Sequence, residues 1–164
     1  MDIQVKNLPT LTSVGNRHFR IENRVTFTIR LDPDDKMLVP QASRPLHIRF
    51  DVLPGAIIDF RSGGPLVDFF TEQIPADPIQ CAAYIAHDVL YTKCYFGDHF
   101  CSRAASDEIL YKLLLLGKMP KIKAWLIYKA VRIGAEKAYR DEDKYSEKNK
   151  RLFSVMWWAV DDAN

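Results

Sequence analysis

The sequence has no strong charge of either sign, no leader-like pattern in its first residues and no long apolar run. Its 23 lysines and arginines nearly balance 21 aspartates and glutamates, and the net charge of +2 is too weak to favour nucleic acid as a partner. The N-terminus has no basic region followed by an apolar stretch, and no segment approaches the length of a membrane span. We therefore expect a chain without a signal peptide that is made in the cytoplasm and does not cross a membrane.

Cysteine is also scarce, and its spacing excludes a disulfide framework. Cys81, Cys94 and Cys101 are odd in number and form no CxxC pair, which is typical of reduced thiols. With His87 and His99, the last two cysteines supply ligand types that suit zinc, but at irregular spacing. The sequence therefore supports a zinc site only weakly.

Alternating apolar residues predict β-structure in the first third of the chain. Apolar side chains recur at every second position in residues 19–31, apart from residues 22–24, and again in residues 46–52. We expect residues 22–24 to form a turn or bulge within a hairpin, and Pro54 and Gly55 to precede one more short strand. These segments predict a small antiparallel sheet over about residues 17–60.

Beyond residue 78 the apolar spacing changes to three and four, the period of an α-helix. Pro78 suits the first turn of a helix, Ser102 is an N-cap candidate, and Gly117 followed by Pro120 suits a helix end. We predict helices over about 78–95, 102–116 and 121–139. On the third helix the predicted core face is Ile122, Trp125, Leu126, Ala130 and Ile133, and the predicted solvated residues are Lys118, Lys121, Lys123, Lys129 and Arg132.

The last part of the chain combines a charged stretch with an apolar one. Residues 140–151 are almost entirely charged, whereas Phe153, Met156 and Trp157 return to helical spacing with Trp158 beside them. We expect an apolar C-terminal helix that docks on its own chain or binds a partner, because it has too few apolar residues to fold alone. The sequence thus predicts one α+β domain over residues 1–139, and a charged connection with a terminal helix over 140–164.

The strongest candidate for chemistry is an ionisable pair within the apolar stretch YIAHDVLY, residues 84–91. On a helix, His87 and Tyr91 share a face and Asp88 is rotated by about 100° from His87. We expect Asp107, near the start of an antiparallel second helix, to accept a hydrogen bond from one ring nitrogen of His87 and to leave the other as a base. Asp88 would bind a cation or an arginine such as Arg103, and the same residues would also serve as a purely structural network.

These residues belong to a longer pattern that resembles the domain of unknown function 1353, a family typical of phages and prophages. Its pattern is a strand ending in Asp-Phe-Ala-Ser, a His-Asp-x-Leu-Tyr helix, a Ser-Arg-x-x-Ala-Asp helix start and a Tyr-x-Ala-Val-Arg helix. The matching residues, within roughly residues 40–135, are Asp59, Phe60, Ser62, His87, Asp88, Leu90, Tyr91, Ser102, Arg103, Asp107, Tyr128, Ala130, Val131 and Arg132. Arg61 and Ser106 depart from the pattern, where the family has small residues. The resemblance implies a phage origin.

A second set of residues looks like the site of the secreted and parvoviral phospholipases A2. The stretch SGGPLVD at 62–68 stands in the order of their calcium loop, before a helix with His87, Asp88 and Tyr91 and a later Asp107. This resemblance implies that His87 activates water, that Tyr91 and Asp107 orient its ring, and that Asp88 holds calcium. The other implied calcium ligands are backbone oxygens near Gly63 and Gly64. The paired cysteines of the secreted enzymes are absent from this sequence.

Two functions are therefore expected. The first is a virion-associated phage protein of the tail, baseplate or neck, in which Asp59, Ser62 and Arg103 join the His87 network and the terminal aromatic residues bind other phage structural proteins. The alternative is a metal-assisted hydrolase, phospholipase A2-like or envelope-degrading, that acts on a lipid or envelope substrate during entry or lysis. Solvent access to His87 distinguishes them, because a hydrolase needs an open cleft and a structural network is buried and fully hydrogen-bonded.

Overall fold

The protein combines two antiparallel sheets with a layer of helices, which confirms the predicted α+β class. The structure is a computed structural model that describes residues 1–15, 18–31, 46–59, 75, 77–96, 103–134, 148 and 151–159. The strands are β1 Asp2–Lys6, β2 Leu11–Gly15, β3 His18–Ile21, β4 Val25–Leu31, β5 Leu46–Val52, β6 Ile57–Asp59 and β7 Phe153–Ala159. The helices are α1 Pro78–Phe96, α2 Arg103–Leu116 and α3 Lys121–Gly134.

The larger sheet has the strand order β1-β4-β5-β7. Its central strands β4 and β5 alternate apolar and polar residues, so each strand turns one apolar face to the core. Phe27 pairs with Phe50 across the two strands, and their rings stack with centroids 4.5 Å apart. Ile29 and Ile48 are the next buried pair on the same face. This face and the helices share one apolar core.

The smaller sheet has the order β2-β3-β6, and it shows that the predicted hairpin is wrong. Strands β3 and β4 follow each other in the chain but pair in different sheets. Residues 22–24 between them therefore form a corner. The Asn23 side chain holds this corner, because its Oδ1 accepts from Thr10 N at 2.7 Å and its Nδ2 donates to Leu8 O at 3.0 Å.

The C-terminal segment is a strand, so the predicted terminal helix is also wrong. Strand β7 pairs antiparallel with β5 along its whole length, from Phe153 opposite Val52 to Ala159 opposite Leu46. Phe153 is buried in the common core. Helical spacing misled the prediction because a segment of seven residues satisfies both periods, and β5 offered an open edge for pairing. The charged stretch before it lies outside the described residues, apart from Lys148 and Arg151.

The three helices pack as consecutive antiparallel neighbours. Asp77 caps α1, accepting from Ile79 N at 2.8 Å and from Gln80 N at 3.0 Å. Gln80 Nε2 in turn donates to Gly117 O at 2.7 Å, which places the end of α2 against the start of α1. A Cβ on Gly117 would lie 2.7 Å from Gln80 Cγ, so only glycine allows this approach. None of the helices in the described ranges is long and apolar enough to cross a bilayer.

Helix α3 presents a different face to the core from the one predicted. Its buried residues are Ala124, Ile127, Ala130 and Val131. Of the predicted core face, only Ala130 is fully buried and Leu126 is half-buried, whereas Ile122, Trp125 and Ile133 are exposed. The hydrophobic stripe was therefore assigned to the wrong side of the helix. Two of the four buried residues on the true inner face are the alanines Ala124 and Ala130, whose small side chains let α3 approach α2 closely.

The terminal strand can be tested by comparing two adjacent residues. We expect Phe153→Ala to lower the free energy of unfolding by about 3 kcal/mol or more, because it leaves a cavity in the core. Ser154→Ala, one position along the same strand, changes an exposed side chain and should stay within about 0.5 kcal/mol of the wild type. Urea denaturation measures both values. Equal effects of the two substitutions would contradict the packing of Phe153 in the core.

Candidate functional site

The candidate site is a hydrogen-bonded cluster centred on the carboxylate of Asp107, which has no exposed surface. His87 and Tyr91, one turn apart on α1, both contact its Oδ1. His87 Nε2 lies 2.9 Å from this oxygen, and the Tyr91 hydroxyl donates to it at 2.5 Å. Arg132 of α3 donates from Nη1 to the other oxygen, Oδ2, at 3.0 Å. One side chain of α2 therefore joins all three helices.

The surroundings of Asp107 keep it ionised despite its burial. Desolvation is the largest influence and acts to raise the pKa of this carboxyl group. The hydrogen bonds from His87, Tyr91 and Arg132, together with the charge interaction with His87, outweigh it, so the pKa lies below its ordinary value. The same ion pair raises the pKa of Arg132. Both groups are thus charged at neutral pH.

Tyr91 and His87 act as donors to this carboxylate. Burial, followed by the nearby charge of Asp107, raises the pKa of Tyr91 well above its ordinary value, while a hydrogen bond from Arg103 opposes this. Tyr91 therefore keeps its proton. Because a carboxylate only accepts, the His87 hydrogen bond requires a proton on Nε2. In the neutral ring Nδ1 then carries a lone pair. The two rings lie against each other with centroids 3.9 Å apart.

A second arginine, Arg103, completes the cluster. Arg103, at the start of α2, donates from Nη2 to Val131 O at 2.9 Å and to Arg132 O at 2.6 Å. These carbonyls lie in the last turn of α3, where a cation is favoured. Sequence reasoning assigned Arg132 to the solvated stripe and missed its contact with Asp107. The Gly117 to Pro120 turn gave the signal, since Asp107 and Arg132 are about equally far from it in an antiparallel helix pair.

The structure brings together only part of the predicted site. Asp88 is buried beside His87 on α1, and its carbonyl accepts from Thr92 Oγ1 at 2.8 Å. Asp59 is the last residue of β6, where its backbone pairs with His18, and its side chain is outside the described set. Other predicted residues also lie outside the description, in whole or in their side chains. These are Ser62, Gly63, Gly64, Cys94, His99, Cys101, Met156, Trp157 and Trp158.

The described residues do not assemble a metal site. Among them, no group of three or more His, Cys, Asp and Glu residues is arranged to hold a metal ion. Asp88 is the one predicted calcium ligand that the described part of the chain contains, and calcium takes six to eight oxygen ligands. His87 is likewise the one predicted zinc ligand with a described side chain. Neither calcium nor zinc is therefore assigned a chemical role at the described residues.

The energetic weight of the cluster can be measured on two adjacent carboxyl groups. We expect Asp107→Asn to lower the free energy of unfolding by about 3 kcal/mol, because a buried ion pair is broken and donors are left facing an amide. The matched control is Glu108→Gln. Glu108 is partly exposed and pairs with Lys112 at 3.9 Å, so its loss should cost less than about 0.5 kcal/mol. Similar losses in the two variants would show that the cluster contributes no special stability.

The same pair of proteins tests the ionisation of Asp107. Because its pKa in the folded protein lies below the ordinary value of 3.8, ionisation stabilises the fold above that pH. This contribution is lost as the pH falls through the lower, folded-state pKa. The stability difference between wild type and Asp107→Asn should therefore stay constant from neutral pH down to about 4 and then shrink. A difference that grows on acidification would contradict the assignment.

Comparison with known proteins identifies the family of this chain. No curated protein and no solved structure matches the chain. A family model described as "Protein of unknown function (DUF1353)" matches residues 41–131, more than half of the sequence, and this range contains His87, Asp107 and most of α3. The chain therefore belongs to the family described as protein of unknown function DUF1353.

Proposed function

We propose that the chain is a virion-associated phage protein, of the tail, baseplate or neck, whose helices form a rigid binding platform. The platform role is supported by the burial of Asp107 and by the hydrogen bonds that both its carboxylate oxygens accept. Asp107 has no exposed surface, the His87 side chain is 2% exposed, and three side-chain donors occupy the two carboxylate oxygens. A network of this kind fixes the crossing of three helices.

The phage setting rests on the resemblance of the sequence pattern to a phage and prophage family. Helices whose relative positions are fixed offer a preorganised surface, and preorganisation lowers the entropic cost of binding a neighbour in an assembly. The proposed partners are other structural proteins of the same particle. Phe153, one of the residues predicted to bind a partner, is buried in the core of the chain itself.

A substitution at His87 distinguishes the binding-platform function from a hydrolase function. The amide of Gln is able to donate to Asp107 but cannot act as a base, so His87→Gln should retain the helix crossing. We expect this variant to enter purified virions of the encoding phage at the wild-type copy number and to preserve infectivity, as measured by quantitative mass spectrometry and plaque assay. Absence of the wild-type protein from purified virions would contradict the proposal.

A second candidate function is ester hydrolysis, and the choice of ring nitrogen favours it. His87 Nε2 is bound to Asp107 Oδ1, so Nδ1 is the nitrogen left to take a proton from water. The resulting hydroxide would attack the ester carbonyl, while Asp107 would stabilise the imidazolium. The tetrahedral intermediate would then break its bond to the alcohol oxygen, and the imidazolium would return its proton to the departing alkoxide. This candidate ranks second because the side chain is almost fully buried. It requires that His87→Gln abolish an esterase activity shown by the wild type, while the melting temperature changes little.

A further inference from the structure

Helix α3 has an exposed face that the platform role does not explain. Ile122 is 76% exposed, Trp125 48% and Ile133 73%. With Lys129 these residues follow spacings of three and four, so they lie along one side of the helix. The apolar stripe runs for about 16 Å at a rise of 1.5 Å per residue. Large apolar side chains in such a row mark an interaction surface.

The charged residues of this helix and of the turn before it all have the same sign. Residues 117–134 contain four lysines and one arginine and no aspartate or glutamate. Arg132 is engaged with Asp107, whereas the four lysines are exposed. These are Lys118, Lys121, Lys123 and Lys129. The surface therefore complements an anionic partner, and like charges oppose its pairing with the same face of a second copy.

The position of Lys129 indicates which kind of anionic partner fits. Its Nζ lies 5.6 Å from the centre of the Trp125 ring, within the apolar stripe. Lysine is depleted from the cores of protein interfaces, where its charge would be desolvated. At a bilayer surface the same residue keeps its ammonium group at the level of the lipid phosphates while its stem lies along the apolar side chains. Tryptophan also favours that depth.

We propose that α3 is an interfacial membrane-binding helix that lies flat on an anionic lipid surface. Ile122, Trp125 and Ile133 enter the boundary between headgroups and acyl chains, and the lysines contact lipid phosphates. This inference goes beyond the proposed platform role and does not depend on it, because it uses only the outer face of α3 and leaves the Asp107 cluster intact.

Vesicle flotation of the full chain tests the inference. One set of vesicles contains phosphatidylglycerol and phosphatidylcholine in equal parts, and the other contains phosphatidylcholine alone. We expect at least about tenfold tighter binding to the anionic set, weakened by added salt. Ile122→Ser/Ile133→Ser should reduce this binding by about tenfold or more. Lys121→Glu/Lys129→Glu should reduce it by about fivefold for each lysine lost.

The controls make equivalent changes in the β-strands or in the turns beside them. Leu8→Ser/Val14→Ser replaces two residues that are each 44% exposed, and Lys6→Glu/Arg24→Glu makes the same change in charge. Both should bind anionic vesicles like the wild type, and circular dichroism checks that every variant is folded. Equal binding to the two vesicle types, or equal loss in the α3 and control variants, would overturn the inference.

Three further outcomes would also overturn it. Binding of the wild type to soluble polyglutamate without binding to vesicles would indicate an acidic protein partner. Self-association that the α3 variants abolish, seen by sedimentation without vesicle binding, would indicate a second copy. Vesicle binding that is insensitive to salt and to both lysine substitutions would show that the lipid phosphates are not recognised.

Discussion

The helical half of this protein depends on the burial of one carboxylate. Moving an ionised carboxyl group out of water costs several kcal/mol, and this cost is recovered only if donors surround the group. Asp107 obtains them from His87 and Tyr91 on α1 and from Arg132 on α3. Each donor must keep its position for the carboxylate to remain satisfied. The spacing and rotation of the three helices are therefore coupled through a single side chain.

The packing of α3 follows from this requirement. Arg132 reaches Asp107 only if α3 lies close to α2, and the inner face of α3 is small enough to permit that approach, with Ala124 and Ala130 buried. Arg103 reinforces the arrangement by bonding the last carbonyls of α3. Ile122, Trp125 and Ile133 are consequently left on its outer side. The polar cluster and the exposed apolar stripe are thus two results of one helix orientation.

The sheets impose a separate constraint. Because β7 completes the edge of the larger sheet, the C-terminal segment belongs to the fold and shares its core through Phe153. Residues 2–6 and 153–159 thus lie on opposite edges of the same sheet, on either side of β4 and β5. Each terminal strand therefore pairs with a strand that is distant in the sequence, and such non-local pairing slows folding.

The sequence by itself determined the local features whose signals are short in range. Alternation located β4 and β5, Pro78 and Gly117 marked helix limits, and the spacing of His87 and Tyr91 placed both side chains on one face of α1. The features that depend on distant partners follow from the tertiary fold and have no sufficient local signal. These are the corner at Asn23, the strand at Phe153 and the outward face of Trp125. Each of these segments satisfies two local patterns equally well, and a hydrogen-bonding edge or a buried charge elsewhere in the chain selects between them.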